Sequence, residues 1–278
     1  MSDYRGRIAP TPTGYLHLGH ATTFSIAQKR AKKNKGTLVF RNEDLDQARC
    51  KPEYVKASLQ DLKDCGLSWD EGPDIGGEYG PYSQSERLDW YLDVWKKLKD
   101  TGLIYPCGKS RKDVKNALTA PHSDGSEPIF PLKLRPSETD FTSYDHPGET
   151  NWRFRVPYQE TISFKDQHLG DQSFIALKDF GDFLIWRRDG FPSYELAVTA
   201  DDHAMKISEV VRGEDLLLST ARQLLIYRAL KWYPPVFYHC HLVKDENGQR
   251  LAKRHQSLSL RAIIAEKGAK NVKKLLFP

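Results

Sequence analysis

Two histidines three residues apart, His17 and His20, are the side chains in this sequence best placed to do chemistry. They enclose Leu18 and Gly19 and come just before a segment of helical composition. A helix N-terminus attracts phosphate through its free N–H groups and partial positive charge, and imidazoles add donors that stabilise developing charge. Gly19 lets a ligand approach the backbone closely. The pair predicts a phosphate-binding site, although structural turns also use histidine and glycine, so the pair alone leaves a structural role open.

A basic segment near the end of the sequence, residues 250–255, could contact the same phosphates. It follows the polar, turn-like run 244–248 and contains Lys253 and Arg254. Such donors on a mobile loop suit a phosphate clamp. An ordinary surface turn with a basic edge has the same composition, so this segment matters mainly in combination with the histidines.

The first hundred residues alternate between strand and helix patterns. The predicted elements are strands at 7–10 and 38–41 and helices at 19–33, 52–65 and 88–98. Pro52 suits a first helical position, and Ser85 precedes the third helix. Gly66 and Gly102 are expected to close the second and third helices in left-handed conformations.

From about residue 105 to 171, prolines and glycines break any long periodicity, which predicts an insertion. Regular patterns then continue. The predicted elements are strands at 152–158, 183–186, 208–212 and 236–243, antiparallel pairing within 162–174, and helices at 194–205 and 219–230, the last capped by Ser219. This alternation predicts an α/β fold with a mostly parallel sheet, whose ligands lie at the carboxyl ends of the strands.

With the histidine pair and the basic segment 250–255 taken together, the chain resembles the glutamyl class of class I aminoacyl-tRNA synthetases. His17–His20 stands at the HIGH motif of that family, and residues 250–254 stand at its KMSKS-type motif. Supporting segments occur in the same order at 7–14, 41–46, 69–73, 83–87 and 211–216. The resemblance implies a Rossmann-like parallel sheet with an inserted α+β subdomain, a short C-terminal helical segment and no anticodon-binding domain. It divides the chain into a first catalytic half (1–104), an inserted acceptor-binding-like subdomain (105–174), a second catalytic half (175–243) and the KMSKS-type loop with the C-terminal segment (244–278).

The resemblance also implies a reaction, in which the carboxylate of L-glutamate attacks the α-phosphorus of ATP. The expected catalytic residues are His17, His20 and Lys253, and the expected ATP-binding residues are Thr11, His17, Gly19, His20, Lys253 and Arg254. The expected glutamate-binding residues are Arg7, Thr11, Glu43, Tyr194 and Arg212. Mg²⁺ is expected with the triphosphate, held mainly by phosphate oxygens and water. No protein metal site is expected.

The sequence ends without the long helical region that full-length glutamyl-tRNA synthetases carry. In this respect it is similar to their short paralogues, which attach glutamate to the queuosine base in the anticodon loop of tRNA(Asp). Val198 agrees, because full-length enzymes commonly place asparagine there and the short paralogues an apolar residue. A CxC zinc motif common in the short paralogues is incomplete, since Cys107 is followed by Lys109 in the second position, and structural zinc is not expected. His239 is expected to pack near the floor of the active site rather than bind metal.

Two other functions stay open at this point. A truncated glutamyl-tRNA synthetase that charges a tRNA 3' end would share every residue named above. A non-catalytic RNA-binding paralogue could keep the fold without the reaction.

Composition and charge limit the remaining possibilities. The net charge is +5, and lysine and arginine concentrate in two clusters, which suit a polyanion such as tRNA or a solvated helix face. No run of apolar residues is long enough to span a membrane, no secretory signal is evident, and the four cysteines form no CxxC pair. We therefore expect a cytoplasmic protein with reduced thiols, without membrane partners, and monomeric.

Overall fold

The computed structural model describes residues 4–109, 129–137, 140–141, 143–243 and 259–277. Its helices are α1 Leu18–Lys33, α2 Pro52–Asp64, α3 Leu88–Asp100, α4 Tyr194–Ala204, α5 Leu217–Ala229, α6 Leu260–Lys267 and α7 Ala269–Leu276. Its strands are β1 Arg5–Ile8, β2 Thr37–Phe40, β3 Ile104–Cys107, β4 Asn151–Phe154, β5 Thr161–Asp166, β6 Gly170–Ile175, β7 Phe183–Trp186, β8 Glu209–Gly213 and β9 Val236–Cys240.

The first strand, helix and second strand form the predicted parallel unit. β1 pairs with β2 in parallel, with Arg7 opposite Val39. β8 lies beside β1, because the Ser208 N–H donates to the Arg5 carbonyl at 2.9 Å. β8 also pairs in parallel with β9, which brings Arg212 opposite His239. The carboxyl ends of β1 and β8 therefore meet at one edge, next to the start of α1.

The middle of the chain contributes two antiparallel pieces. β3, β4 and β7 form a three-stranded antiparallel sheet. β5 and β6 form the predicted hairpin, and β5 joins β9 in parallel through Asp166 opposite Phe237. The predicted boundary at residue 174 falls inside β6, within a hairpin that is joined to β9 of the second catalytic half, and the four domain ranges stay a prediction.

The local predictions succeed at most helix ends. α2 starts at Pro52, and Gly66 and Gly102 adopt the left-handed φ values of +83° and +73°. The cap predicted at Ser219 is wrong. Ser219 lies inside α5, where its hydroxyl donates to Glu195. A carboxylate distant in sequence thus takes the serine that local spacing assigned to a helix end.

Candidate active site

One cavity of about 280 Å³ opens at the edge where β1 and β8 end and α1 begins. This is the position at which an α/β sheet binds ligands. The lining residues are Arg7, Ala9, Pro10, Thr11, His17, Gly19, His20, Thr23, Phe24, Glu43, Tyr194, Val211, Arg212, Gly213, Asp215, Leu216, His241, Leu242 and Val243. Every predicted site residue that the structure describes is among them. Lys253 and Arg254 lie outside the described residues, and the roles of all these residues stay a prediction.

The two histidines form one unit at the start of α1. His17 precedes the helix as its N-cap, and the His17 and His20 rings stack with their centroids 3.7 Å apart. The His17 backbone N–H donates to His20 Nδ1 at 3.3 Å. Because Nδ1 accepts, the neutral His20 ring carries its proton on Nε2, which is thereby a donor. The arrangement offers imidazole and backbone donors on the same side of the cavity as the positive end of α1.

Gly19 keeps the His17 ring in place by having no side chain. A Cβ added at Gly19 would lie 3.1 Å from both Cε1 and Nδ1 of His17. That is closer than ordinary van der Waals contact, so any larger residue would push the imidazole aside. The absence of a side chain at Gly19 thus leaves the space that the His17 ring occupies.

A buried network of charged side chains contacts Arg7 of β1. Arg41 donates from Nη1 to Asp202 at 2.6 Å and from Nη2 to Glu43 at 2.9 Å. Arg7 lies between this network and β8: its Nε is 3.7 Å from the same Asp202, and its Nη1 donates to the Val211 carbonyl at 2.8 Å. Burial lowers the pKa of Arg7 although Asp202 opposes the change, and burial raises the pKa of Glu43 against the pull of Arg41. Asp202 is thus the internal counter-ion of two buried guanidinium groups.

The neighbouring carboxylate fixes this network to the rest of the fold. Asp201 accepts hydrogen bonds from Gln84, Arg87 and Tyr91 at 2.7 to 2.8 Å. Burial raises the pKa of Tyr91, and the charge of Asp201 adds to the rise. Asp201 and Asp202 are consecutive on α4, so one helix positions both anions.

Arg212 is buried but paired differently. Its Nε donates to His239 Nε2 at 3.2 Å and its Nη2 donates to the Thr220 hydroxyl at 2.6 Å. Its buried Nη1 has no hydrogen-bond partner among the described residues, and no described carboxylate lies within 4.0 Å of the guanidinium. His239 lies below Arg212, fully buried and outside the cavity lining, as predicted for the floor of the site. A buried cation without a local counter-ion favours an anionic ligand.

Tyr194 and Val198 occupy successive turns of α4. Tyr194 is the first residue of the helix and lines the cavity, while Ser193 caps the helix by accepting the Leu196 N–H at 3.2 Å. Tyr194 is 39% exposed and so open to a ligand, and its phenol is protonated at neutral pH, so the O–H can donate. Val198 is buried and is not part of the cavity lining.

Sequence reasoning missed several residues of the site. Asp202 had no spacing signal, because its partners are distant in sequence. Asp215 lies within a segment that carried the family resemblance but received no role. His241, to which the sequence analysis gave no role, lines the cavity and contacts Glu214 through Nδ1 at 2.8 Å. Its position after the buried end of β9 was the available signal.

Within the ranges that the structure describes, no group of three histidine, cysteine, aspartate or glutamate side chains is arranged to hold a metal ion. None of the helices in those ranges combines the length and apolarity that crossing a bilayer requires.

Comparison with known proteins assigns the chain to a family. Residues 3–273 match the family described as tRNA synthetases class I (E and Q), catalytic domain. A glutamyl-Q tRNA(Asp) synthetase from Symbiobacterium thermophilum is 44% identical over 94% of this chain and 81% of its own length. A glutamate–tRNA ligase from Listeria innocua is 38% identical over 91% of this chain and 52% of its own length.

A solved structure is similar in three dimensions. The glutamate tRNA ligase from Elizabethkingia meningosepticum, crystallised in complex with its amino acid, superposes with a TM-score of 0.79 at 31% identity. The match covers 91% of this chain and 52% of that one, so the chain spans about half the length of that ligase. The predicted class I synthetase catalytic fold, mixed α/β with a parallel sheet, is therefore confirmed, and the chain belongs to the glutamyl and glutaminyl family of class I tRNA synthetases.

Proposed function

We propose that this chain activates L-glutamate with ATP and transfers the glutamyl group to the queuosine base in the anticodon loop of tRNA(Asp). The observation that carries the proposal is the buried Arg212, whose nearest acceptors are neutral, in the same cavity as the N-terminus of α1. A site with an uncompensated guanidinium beside a phosphate-binding helix end suits a substrate carboxylate next to a nucleotide.

Activation joins the two ligands. A glutamate α-carboxylate oxygen attacks the α-phosphorus of ATP, a P–O bond forms, and the bond to the leaving pyrophosphate breaks. Negative charge develops on phosphate oxygens, where the α1 N-terminus and the His20 Nε2–H can stabilise it. We assign Lys253 and Arg254 to the β and γ phosphates by resemblance. Mg²⁺ would be held by phosphate oxygens and water, which is how it usually binds nucleotides.

The amino acid has complementary partners in the same cavity. Arg7 and Arg212 offer planar donors for its two carboxylates, and the Tyr194 O–H can donate to one of them. Glu43 can accept from the α-ammonium group while Arg41 holds it in place. In the second step a nucleophile on the modified base attacks the carbonyl of the mixed anhydride, and AMP leaves.

The choice of acceptor is supported by the relatives and by Val198. Two proteins named glutamyl-Q tRNA(Asp) synthetase are 44% and 41% identical to this chain, and glutamate–tRNA ligases are 38% to 40% identical. Val198 is apolar, as the resemblance to the short paralogues implies for this position.

A lysine surface supports a tRNA partner. It comprises the exposed Lys29, Lys32, Lys33 and Lys35 at the end of α1 and Lys267, Lys270, Lys273 and Lys274 on α6 and α7. The two groups meet where the Lys29 ammonium lies 5.5 Å from the centre of the Phe277 ring. None of these lysines pairs with a carboxylate of the described residues, whereas Arg30 and Arg261 pair with Glu209 and Asp61. Unpaired lysines on adjoining helices provide the charge that a phosphate backbone binds.

Two assays test the proposal. Glutamate-dependent ATP–pyrophosphate exchange, run with and without tRNA, measures activation. Radiolabelled glutamate is then offered with tRNA(Asp) that contains queuosine, with the same tRNA lacking it, and with tRNA(Glu). We expect label only on the queuosine-containing tRNA, at the base. Label confined to the 3' end of tRNA(Glu) would identify a glutamyl-tRNA synthetase instead, and absence of exchange would leave a non-catalytic RNA-binding protein.

A further inference from the structure

The position of Arg212 depends on a neighbour that has to accept a hydrogen bond. A guanidinium has only donors, so each group that holds it must present a lone pair. Thr220 does so: its hydroxyl accepts from Arg212 Nη2 at 2.6 Å, and its own proton can go to the Leu216 carbonyl at 3.2 Å or to His239 Nε2 at 3.1 Å. His239 does so through Nε2, 3.2 Å from Arg212 Nε. Two of the three guanidinium nitrogens are therefore fixed by neutral acceptors.

Asp166 keeps the imidazole of His239 in the form that can accept. The Asp166 Oδ2 atom lies 2.6 Å from His239 Nδ1, and because a carboxylate accepts, Nδ1 carries the proton. Nε2 is then unprotonated and faces Arg212. Burial and the charge of Arg212 lower the pKa of His239 to about 4, which keeps the ring neutral at physiological pH.

Asp166 is itself held by the backbone. Its carboxylate accepts the N–H groups of His168, Leu169 and His239 at 2.8 to 3.0 Å. Burial alone would raise the pKa of Asp166, but these hydrogen bonds lower it. Asp166 lies at the end of β5, at the point where that strand pairs with β9. The β5–β6 hairpin thereby fixes an anion beneath the candidate site.

We propose that Asp166, His239 and Thr220 are positioning residues that orient Arg212 for a substrate carboxylate without neutralising its charge. The inference rests on the proposed function, since it takes Arg212 as a glutamate ligand. A carboxylate in direct contact would compete with the ligand for the guanidinium. A neutral imidazole fixes the guanidinium and leaves its charge to the substrate, while the more distant Asp166 sets the tautomer.

Two matched pairs of variants test the orientation. In His239→Asn the amide reaches only the Nδ1 position, so the contact to Arg212 is lost, whereas in His239→Gln an amide oxygen can take the place of Nε2. Thr220→Val removes the acceptor at nearly constant shape, and Thr220→Ser retains it. In glutamate-dependent ATP–pyrophosphate exchange we expect the KM for glutamate to rise at least about tenfold in His239→Asn and Thr220→Val. We expect the rise to be clearly smaller in His239→Gln and Thr220→Ser, and the KM for ATP to stay within about twofold in all four.

The outcomes separate orientation from general destabilisation. If the KM values for glutamate and ATP rise together, or if the glutamate KM is unchanged in folded Thr220→Val and His239→Asn, the positioning role is wrong. Thermal unfolding of each variant shows whether it is folded, and Thr220→Val keeps the test valid if the histidine variants are not. Wild-type protein without exchange would refute the proposed function itself. An Arg212→Ala variant with an unchanged glutamate KM would instead refute Arg212 as a ligand.

Discussion

Replacing Gly19 by alanine should separate stability from activity. Gly19 is the second residue of α1, and its φ lies outside the left-handed region, so alanine fits the backbone. Alanine in place of a helical glycine stabilises by up to about 1 kcal/mol, and less near a helix end. The added Cβ would lie 3.1 Å from two atoms of the His17 ring, which must move at least a few tenths of an ångström to reach ordinary contact.

The displacement sets the expected loss of rate. A misplacement of about 1 Å can cost about 100-fold, so a shift of a few tenths of an ångström corresponds to roughly a fivefold fall in kcat for exchange. The melting temperature should stay level or rise. Gly14→Ala is the matched control, because an added Cβ there meets no atom within 4 Å and Gly14 is not part of the cavity lining. If Gly19→Ala and Gly14→Ala have the same kcat, the placement of the His17 ring does not limit catalysis.

Three further predictions concern stability, RNA binding and pH. Asp202→Asn should lower the free energy of unfolding, measured by urea denaturation, by about 3 to 5 kcal/mol, because it leaves buried guanidinium groups without their counter-ion. The control, Asp189→Asn at an exposed ion pair, should lower it by less than about 1 kcal/mol. Charge reversal at Lys29 and Lys273 should weaken tRNA binding in filter-binding titrations and make the affinity depend less on salt concentration. Unchanged tRNA binding, or an equal loss of ATP–pyrophosphate exchange activity, would contradict a role of these lysines confined to RNA binding. His239 has a pKa of about 4 in the folded state and 6.5 in the unfolded state, so between these pH values the unfolded state binds a proton that the folded state does not. Stability should therefore fall as pH drops from about 6.5 to 4, and His239→Gln should remove that part of the pH dependence in denaturation midpoints; an unchanged slope would rule it out.

How far the sequence predicted the molecule depends on how local each feature is. The start of α2 at Pro52 and the left-handed Gly66 and Gly102 follow from a few adjacent residues, and they were predicted correctly. The cap assigned to Ser219 was wrong, because its hydroxyl donates to Glu195 on another helix. Local spacing identifies a residue that can cap, but tertiary contacts decide whether it does.

The candidate site shows the same limit in its charges. The cavity residues came from motifs, but Asp202 is 161 residues from Arg41, and Asp166 is 73 residues from His239. The parallel pairing of β5 with β9 that brings the second pair together had no signal in either strand. Hydrophobic periodicity specifies which face of an element is buried and does not specify which buried charges will meet.

Arginines of the same type therefore acquire different roles from their partners alone. Arg41 contacts Asp202 directly, so its charge is balanced within the protein and contributes to structure. Arg212 is held by two hydrogen bonds to neutral acceptors, and the carboxylate behind it is one imidazole further away. Because Coulomb attraction falls with distance, Asp166 neutralises the charge of Arg212 less than a carboxylate in direct contact would, while the hydrogen bonds still fix the orientation of the guanidinium. A series of hydrogen bonds that ends in a neutral acceptor lets a buried arginine remain rigid and still bind an anion.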